Sequence, residues 1–374
     1  MGYVRQLGWC WLLASYCWLA GCGGQPPNQN ERTPAPELNG GLTWLNSTPV
    51  KLADFRGRVV LLDFFEYSCV NCLRTLPYVQ EWQRRYSDKG LVIIGVHSPQ
   101  YGFSMDPQNV FLAVKRLGLT YPVVVDSNLI IAQAYQNRFW PRKVIIDQDG
   151  LIQFDHTGEG AYEEMEKMIQ ALLRRGNPQV TLPPIMELLQ PTDRLGAVCY
   201  PITPELYLGK ERGKLANPAE ATTNSWSFYT LPDQLEPDRI YAAGAWQNHS
   251  EYFRHARDTE EIEDFIALLY RAVEVNVVMK PEDVYWFQIF VKQDGAWLRK
   301  AVAGSDVLFD EEGRSYVKVD AARMYNLIAN QPYGAHDLRL YPLSRGLSVY
   351  SFSFGTCLVP ADVKRLEQGK NGKR

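Results

Sequence analysis

Two kinds of hydrophobic patterning divide the chain. From Arg58 to Phe65 the apolar side chains Val59, Val60, Leu61, Leu62, Phe64 and Phe65 run on with Asp63 as the one polar interruption. Such a run is the pattern of a strand covered on both faces. A helix-compatible stretch from Cys69 to Tyr86 follows directly, and the alternation then repeats. Leu91–Val96 reads as strand, Gln108–Leu117 as helix, Val123–Val125 as strand and Leu129–Tyr135 as helix. Lys143–Ile146 and Leu151–Phe154 read as a hairpin around Asp149-Gly150, and Tyr162–Arg174 as a last helix. Strands alternating with helices predict an α/β sheet with helices packed on its faces.

The pattern changes after Arg175-Gly176-Asn177-Pro178. Residues 178–202 hold five prolines and little periodicity beyond a short helix near Met186, so 179–202 reads as a linker. Beyond Tyr207 strands dominate: Asp238–Ala243, Ile262–Tyr270, Glu274–Met279, Tyr285–Lys292, Ala296–Val302, Ser315–Val319, His336–Tyr341 and Leu347–Phe354. Their even spacing, with turn signals such as Gln293-Asp294-Gly295, predicts an antiparallel sandwich over 203–360.

The 374 residues suffice for two or three domains and a sizeable core. With 46% hydrophobic and 22% charged residues the chain is neither disordered nor rich in membrane spans. Its 39 basic and 42 acidic side chains leave a formal charge of -3 and no broad positive surface, which argues against nucleic acid as a partner.

The first 22 residues carry a targeting pattern. Arg5 precedes an apolar run from Leu7 to Leu19, too short to span a membrane comfortably, which is the pattern of an export signal. Its end, Leu19-Ala20-Gly21-Cys22, resembles a bacterial lipobox, whose cysteine is diacylated and becomes the mature amino terminus. The alternatives are an ordinary signal peptide and an uncleaved anchor, and either places the remainder outside the cytoplasm. The expectation is a lipid-anchored protein on a bacterial membrane, on the periplasmic side if there are two. Residues 23–40, rich in Gly and Pro, read as a tether, 41–178 as the α/β domain and 361–374 as a solvated basic tail. Of the seven cysteines, Cys10 and Cys17 fall inside the export signal and Cys22 is the lipid site. Cys69, Cys72, Cys199 and Cys357 remain, an even number, as an oxidising compartment favours.

The sharpest chemistry lies in Tyr67-Ser68-Cys69-Val70-Asn71-Cys72, where the apolar strand meets the helix. Two residues between cysteines on a first helical turn bring both sulfurs within bonding distance, and the helix amino terminus stabilises the leading thiolate. Cys69 is then the exposed nucleophile, and Cys72, one turn deeper, resolves the mixed disulfide. Half a zinc site is the rival for any Cys-x-x-Cys, but no second close pair accompanies this one. Asp63, in the buried strand six residues before Cys69, is placed to have a raised pKa and pass protons to Cys72; the bland alternative is a partly solvated carboxylate without a role.

The residues Val60 to Trp82, with Asp63-Phe64-Phe65, the cysteine motif and Arg74-Thr75-Leu76-Pro77, resemble the thioredoxin fold of the TlpA-like extracytoplasmic reductants, and most of all their DipZ-type branch. Gly95-Val96-His97-Ser98-Pro99 and Trp140-Pro141-Arg142-Lys143 resemble that branch too. So do Pro204-Glu205-Leu206-Tyr207-Leu208-Gly209, Val273-Glu274-Val275-Asn276, Gly304-Ser305-Asp306-Val307 and Tyr350-Ser351-Phe352-Ser353-Phe354-Gly355, so the resemblance runs from about residue 41 to 358. It implies an α/β thioredoxin-like domain followed by an all-β, jelly-roll-like sandwich similar to carbohydrate-binding modules. It also implies a cis peptide at Trp140-Pro141, with Pro141 facing the cysteines and forming a backbone edge for an extended substrate. The implied activity is reduction of disulfides in exported proteins, without a cofactor. Two departures matter. Thr75 and Tyr67 stand where many TlpA-like proteins carry Glu and Trp, which removes a proton path through Glu. DipZ-type proteins also carry an electron-conducting membrane domain ahead of the redoxin, whereas only the lipid signal precedes it here, so the expected electron donor is a separate transmembrane protein.

Cys199 and Cys357 flank the sandwich, where first and last strands of a jelly roll lie side by side, so a structural disulfide is expected; two buried free thiols are the alternative. His97 reads as a hydrogen-bonded structural residue, and His249 and His255 lack metal-ligand spacing, so no metal is expected. Trp226, Trp246, Tyr285, Trp286 and Trp297 either fill the sandwich core or stack on a glycan. The rival to an oxidoreductase is an envelope binding protein whose sandwich holds a glycan or protein partner, with the redoxin as spacer.

Overall fold

The computed structural model describes residues 33–40, 43–223, 225–282 and 285–359. The export signal with Cys22, the first part of the tether and the basic tail lie outside the described residues.

The first domain is built from β1 (Thr43–Leu45), β2 (Val59–Phe65), α1 (Val70–Tyr86), β3 (Leu91–His97), α2 (Pro107–Arg116), β4 (Val123–Val125), α3 (Ile130–Ala134), β5 (Arg142–Ile146), β6 (Ile152–Thr157) and α4 (Tyr162–Gly176). The strands form one sheet in the order β1-β4-β3-β2-β5-β6, with β2, β3 and β4 parallel and β5 antiparallel beside β2. Every residue of β2 and β3 is buried, which is why their sequences lack polar alternation. Side chains on β2 point alternately to two cores. Val59, Leu61 and Phe65 meet α1 and α4, while Val60, Leu62 and Phe64 meet the opposite cluster. Asp63 shares the parity of the first set and therefore lies beneath α1.

Thr33–Gly40, expected as tether, pack onto this domain instead. The Ala35 N–H donates to the Gly150 carbonyl, the Glu37 carboxylate accepts the N–H groups of Leu52 and Ala53, and Leu38 joins the core of Val60 and Leu62. A single leucine with a capping carboxylate is too short a pattern to stand out from a Gly/Pro-rich stretch.

In the second domain, among the described residues, twelve strands form one continuous antiparallel sheet. The strands expected at Ile262–Tyr270 and Glu274–Met279 are one, Phe265–Pro281. A register shift against Arg323–Pro342 between Ala272 and Glu274 breaks the alternation there, so the bulge reads as a gap in sequence. The expected strand Ala296–Val302 is formed only at Ala296–Trp297. Phe265–Pro281 pairs with Ile240–Asn248 through its first part and with Leu347–Gly355 through its second, and Phe253–His255 bridges those two. That circuit closes the sheet around a core containing Trp246, Phe253, Tyr270 and Tyr325. Trp246 is fully buried and Trp297 lies beneath the Lys292 ammonium, whereas Tyr285 is 96% exposed and Trp286 50%. Cys199 and Cys357 are disulfide-bonded and join Val198–Cys199 to Cys357–Leu358.

The two domains share a core. Val278 and Tyr350 of the second pack into the cluster formed by α1, α2 and β3, with the Tyr350 ring edge-on to Phe103 at 4.8 Å. Polar ties surround this contact: Tyr101 and Ser351 hydroxyls at 2.7 Å, Arg74 with Glu274 at 3.0 Å, and the Gly102 N–H donating to Glu251 at 2.8 Å.

Candidate active site

Cys69 is the N-cap of α1. Its backbone is extended, and its sulfur accepts the Cys72 N–H at 3.3 Å, so the leading sulfur sits where the unpaired amides of the first turn converge. The two cysteines are free thiols with unlike surroundings: Cys69 is half-buried and Cys72 is without exposed surface. Burial pushes the Cys72 thiol well above its ordinary range, and its hydrogen bond with Cys69 pushes the same way.

Asp63 and Lys143 are direct cross-strand partners on β2 and β5, both buried, with the ammonium 3.0 Å from the carboxylate. The Lys143 ammonium also donates to Thr75 Oγ1 at 2.5 Å, and that hydroxyl donates to the Cys72 carbonyl at 2.9 Å. Asp63, expected as a lone proton carrier, is thus half of an ion pair. The cation that bears on Cys72, and favours its thiolate, is Lys143. Sequence reasoning missed Lys143 as a site residue, although it has the same β5 parity as Ile145 and so points to the α1 side. His97 also departs from expectation: it is fully buried, neither ring nitrogen is hydrogen-bonded, and its Nε2 lies 3.8 Å from Glu66 Oε1. Glu66 instead accepts the N–H and hydroxyl of Ser68, which holds the turn before Cys69.

The Trp140-Pro141 peptide is cis. The Pro141 carbonyl is taken by the Gly158 N–H, so the pocket beside the cysteines is lined by the residues just before it, Arg138, Phe139 and Trp140. This pocket, about 320 Å³, has Cys69, Val70 and Asn71 on its floor. Its far wall comes from the second domain: Glu205, Tyr207, Arg212, Val278, Ser351 and Ser353. Glu205 stays open to solvent, yet the walls around it push its carboxyl upward against the pull of the Tyr207 hydroxyl and Arg212. Burial and Glu205 together raise the Tyr207 phenol, with Cys69 itself among the contributing charges. A wider depression of about 810 Å³ shares Arg138 and Phe139 with this pocket but contains neither cysteine. Among the described residues no cluster of His, Cys, Asp and Glu could hold a metal ion, and no helix is long and apolar enough to cross a membrane.

The first domain is thioredoxin-like with a Cys-x-x-Cys pair at a helix amino terminus, and residues 30–173 match the redoxin family. Residues 203–355 match the family described as thioredoxin like C-terminal domain. The chain is 31% identical to protein DipZ of Mycobacterium tuberculosis over 86% of its own length and 43% of that protein's, so it spans less than half of this relative. It is 28% identical to the thiol-disulfide oxidoreductase YkuV of Bacillus subtilis, over 38% of this chain and 95% of that one. A solved thioredoxin-like superfamily protein aligns with 40% of this chain and 99% of its own at 26% identity and a TM-score of 0.37. In carrying a redoxin match followed by a match to this carboxy-terminal domain, the chain is similar to thioredoxin-like proteins of the DipZ type.

Proposed function

We propose that this chain is a membrane-anchored, extracytoplasmic thiol–disulfide oxidoreductase that reduces disulfides of exported proteins through Cys69 and Cys72. The observation that carries the reading is the inequality of the two sulfurs: one at the helix amino terminus in an open pocket, the other buried directly behind it. The Cys69 thiolate attacks one client sulfur, the client S–S bond breaks, and the departing client thiolate takes up a proton. Cys72 then loses its proton and attacks Cys69, the mixed disulfide breaks, and the second client thiolate leaves. Two electrons pass to the client and the Cys69–Cys72 disulfide remains, to be reduced again by a membrane electron donor.

The cis Pro141 shapes the client's edge of the pocket, and Asp63 acts through Lys143 to set the charge around Cys72. Cys22, in its lipobox-like context, carries the lipid anchor, and the Cys199–Cys357 disulfide clamps the ends of the second domain. A glycan-binding role for that domain would fall to the exposed Trp226, Tyr285 and Trp286.

The roles are tested with two variants. Cys69→Ser abolishes reduction of insulin, while Cys72→Ser accumulates mixed disulfides with client proteins; full turnover by Cys72→Ser without adducts would falsify the assignment. Mass spectrometry of the mature amino terminus reads out an acylated Cys22, and an unmodified residue there would remove the anchor.

A further inference from the structure

The wall opposite the cis peptide belongs to the second domain, and it carries charge. Arg212 stacks on the Tyr207 ring at 3.6 Å. Stacking uses the face of a guanidinium and leaves its in-plane donors, which match a carboxylate in pairs. Arg138 lines the same pocket, and among the described residues neither arginine forms a salt bridge. Glu205 lines the same pocket beside them, on the wall it shares with Tyr207 and Ser351. A reactive sulfur therefore faces an anionic group and two cations not locked in salt bridges in a space of about 320 Å³, at the small end of ligand pockets. Both sides of that space are held in place, one by β5 and the other by the shared core at Val278 and Tyr350. Charges of both signs that are not locked in salt bridges, in a cleft with a nucleophile at its floor, make a recognition site for a substrate that supplies the complementary charges.

We propose that the pocket over Cys69 selects small disulfides bearing both ammonium and carboxylate groups, of which cystine is the simplest, with Glu205 reading the ammonium and Arg212 the carboxylate. This rests on the oxidoreductase reading of Cys69 and Cys72, but not on the client being a protein. Cys69 attacks one sulfur of cystine and a cysteine leaves as thiolate, taking a proton. Cys72 gives up its proton and attacks Cys69, releasing the second cysteine. One dithiol becomes one disulfide while one cystine becomes two cysteines.

The test uses the full chain, reduced beforehand, and measures single-turnover oxidation of the Cys69/Cys72 pair by four disulfides. These are cystine, cystamine with ammonium groups alone, dithiodiglycolate with carboxylates alone, and neutral hydroxyethyl disulfide. Each rate constant is divided by that of the same disulfide with dithiothreitol, which removes differences in leaving-group chemistry. Cystine is expected to exceed hydroxyethyl disulfide by about tenfold, the scale of one charge-assisted contact. Glu205→Gln should lower the normalised rates of the two ammonium-bearing disulfides relative to hydroxyethyl disulfide, and Arg212→Gln those of the two carboxylate-bearing ones. Partial misfolding lowers all four alike, so these ratios are insensitive to it. Equal normalised rates for all four disulfides in the parent protein, or ratios unmoved by both substitutions, would overturn the inference while leaving the oxidoreductase reading standing. Failure of every disulfide to oxidise the pair would overturn that reading and this inference with it.

Discussion

Cys72 is walled in on all sides, and its protonation is the residue-level property with the widest consequence. In the reduced protein the folded thiol stays protonated well above its ordinary range, whereas an unfolded cysteine ionises near pH ~8.5. Above that pH the fold binds more protons than the unfolded chain, so stability falls as pH rises, by about 1.4 kcal/mol per pH unit until the folded thiol ionises too. Below about pH 8 this contribution is fully present and flat. The Cys69–Cys72 disulfide has no such group. Denaturant midpoints of the reduced and oxidised forms at pH 7 and pH 10 check this: the reduced form should lose ground to the oxidised one at the higher pH. A constant difference between the two forms would contradict the burial argument.

At the scale of elements, β2 and β5 are tied by Asp63 and Lys143, which are in register and fully buried. Removing one member leaves the other's charge uncompensated, at a cost of about 3–5 kcal/mol, while removing both together costs much less. The expected pattern is therefore strong non-additivity: Lys143→Met alone severely destabilised, Asp63→Asn with Lys143→Met milder. Urea unfolding of the two singles and the double measures the coupling, and additive losses would show that the pair is not the tie between these strands. A second tie joins Val198–Cys199 to Cys357–Leu358 across 158 residues of chain. Closing so long a loop stabilises by about 5 kcal/mol in the chain-entropy account. Cys199 and Cys357 should resist alkylation under denaturing conditions until reductant is added, as mass spectrometry reads out, and Cys199→Ser should lower the unfolding temperature.

For the whole molecule, the domain interface is a piece of core and not a polar contact between independent bodies. Tyr350 and Val278 are buried among side chains of the first domain. Interfaces of that kind couple the domains they join, unlike the small polar contacts that permit relative motion. The chain should unfold in one calorimetric transition, and Tyr350→Ala, which removes a buried aromatic at a cost of about 3–5 kcal/mol, should split it into two. Two transitions in the parent protein would show that the domains are thermally independent.

The alternation of β2 with α1, and the Cys69/Cys72 spacing, were legible because local periodicity and a one-turn separation encode them directly. Burial of β2 and β3 on both faces suppresses polar alternation, and a helix amino terminus needs only its own first turn to act on Cys69. The bulge at Val273 hid one long strand as two, since a one-residue register change looks like a gap. Thr33–Gly40 read as tether because nothing local shows Leu38 entering a distant core. The conversion of Asp63 from lone carboxylate to ion-pair member needed β5 beside β2, which pairing across eighty residues decides. Glu205, Tyr207 and Arg212 could be seen in sequence, but only packing of the second domain through Val278 and Tyr350 brings them over Cys69. The Cys69/Cys72 pair could be read from sequence because its spacing is local to one helical turn; what surrounds the pair came only with the fold, because charge compensation and pocket walls arise between segments far apart in the chain.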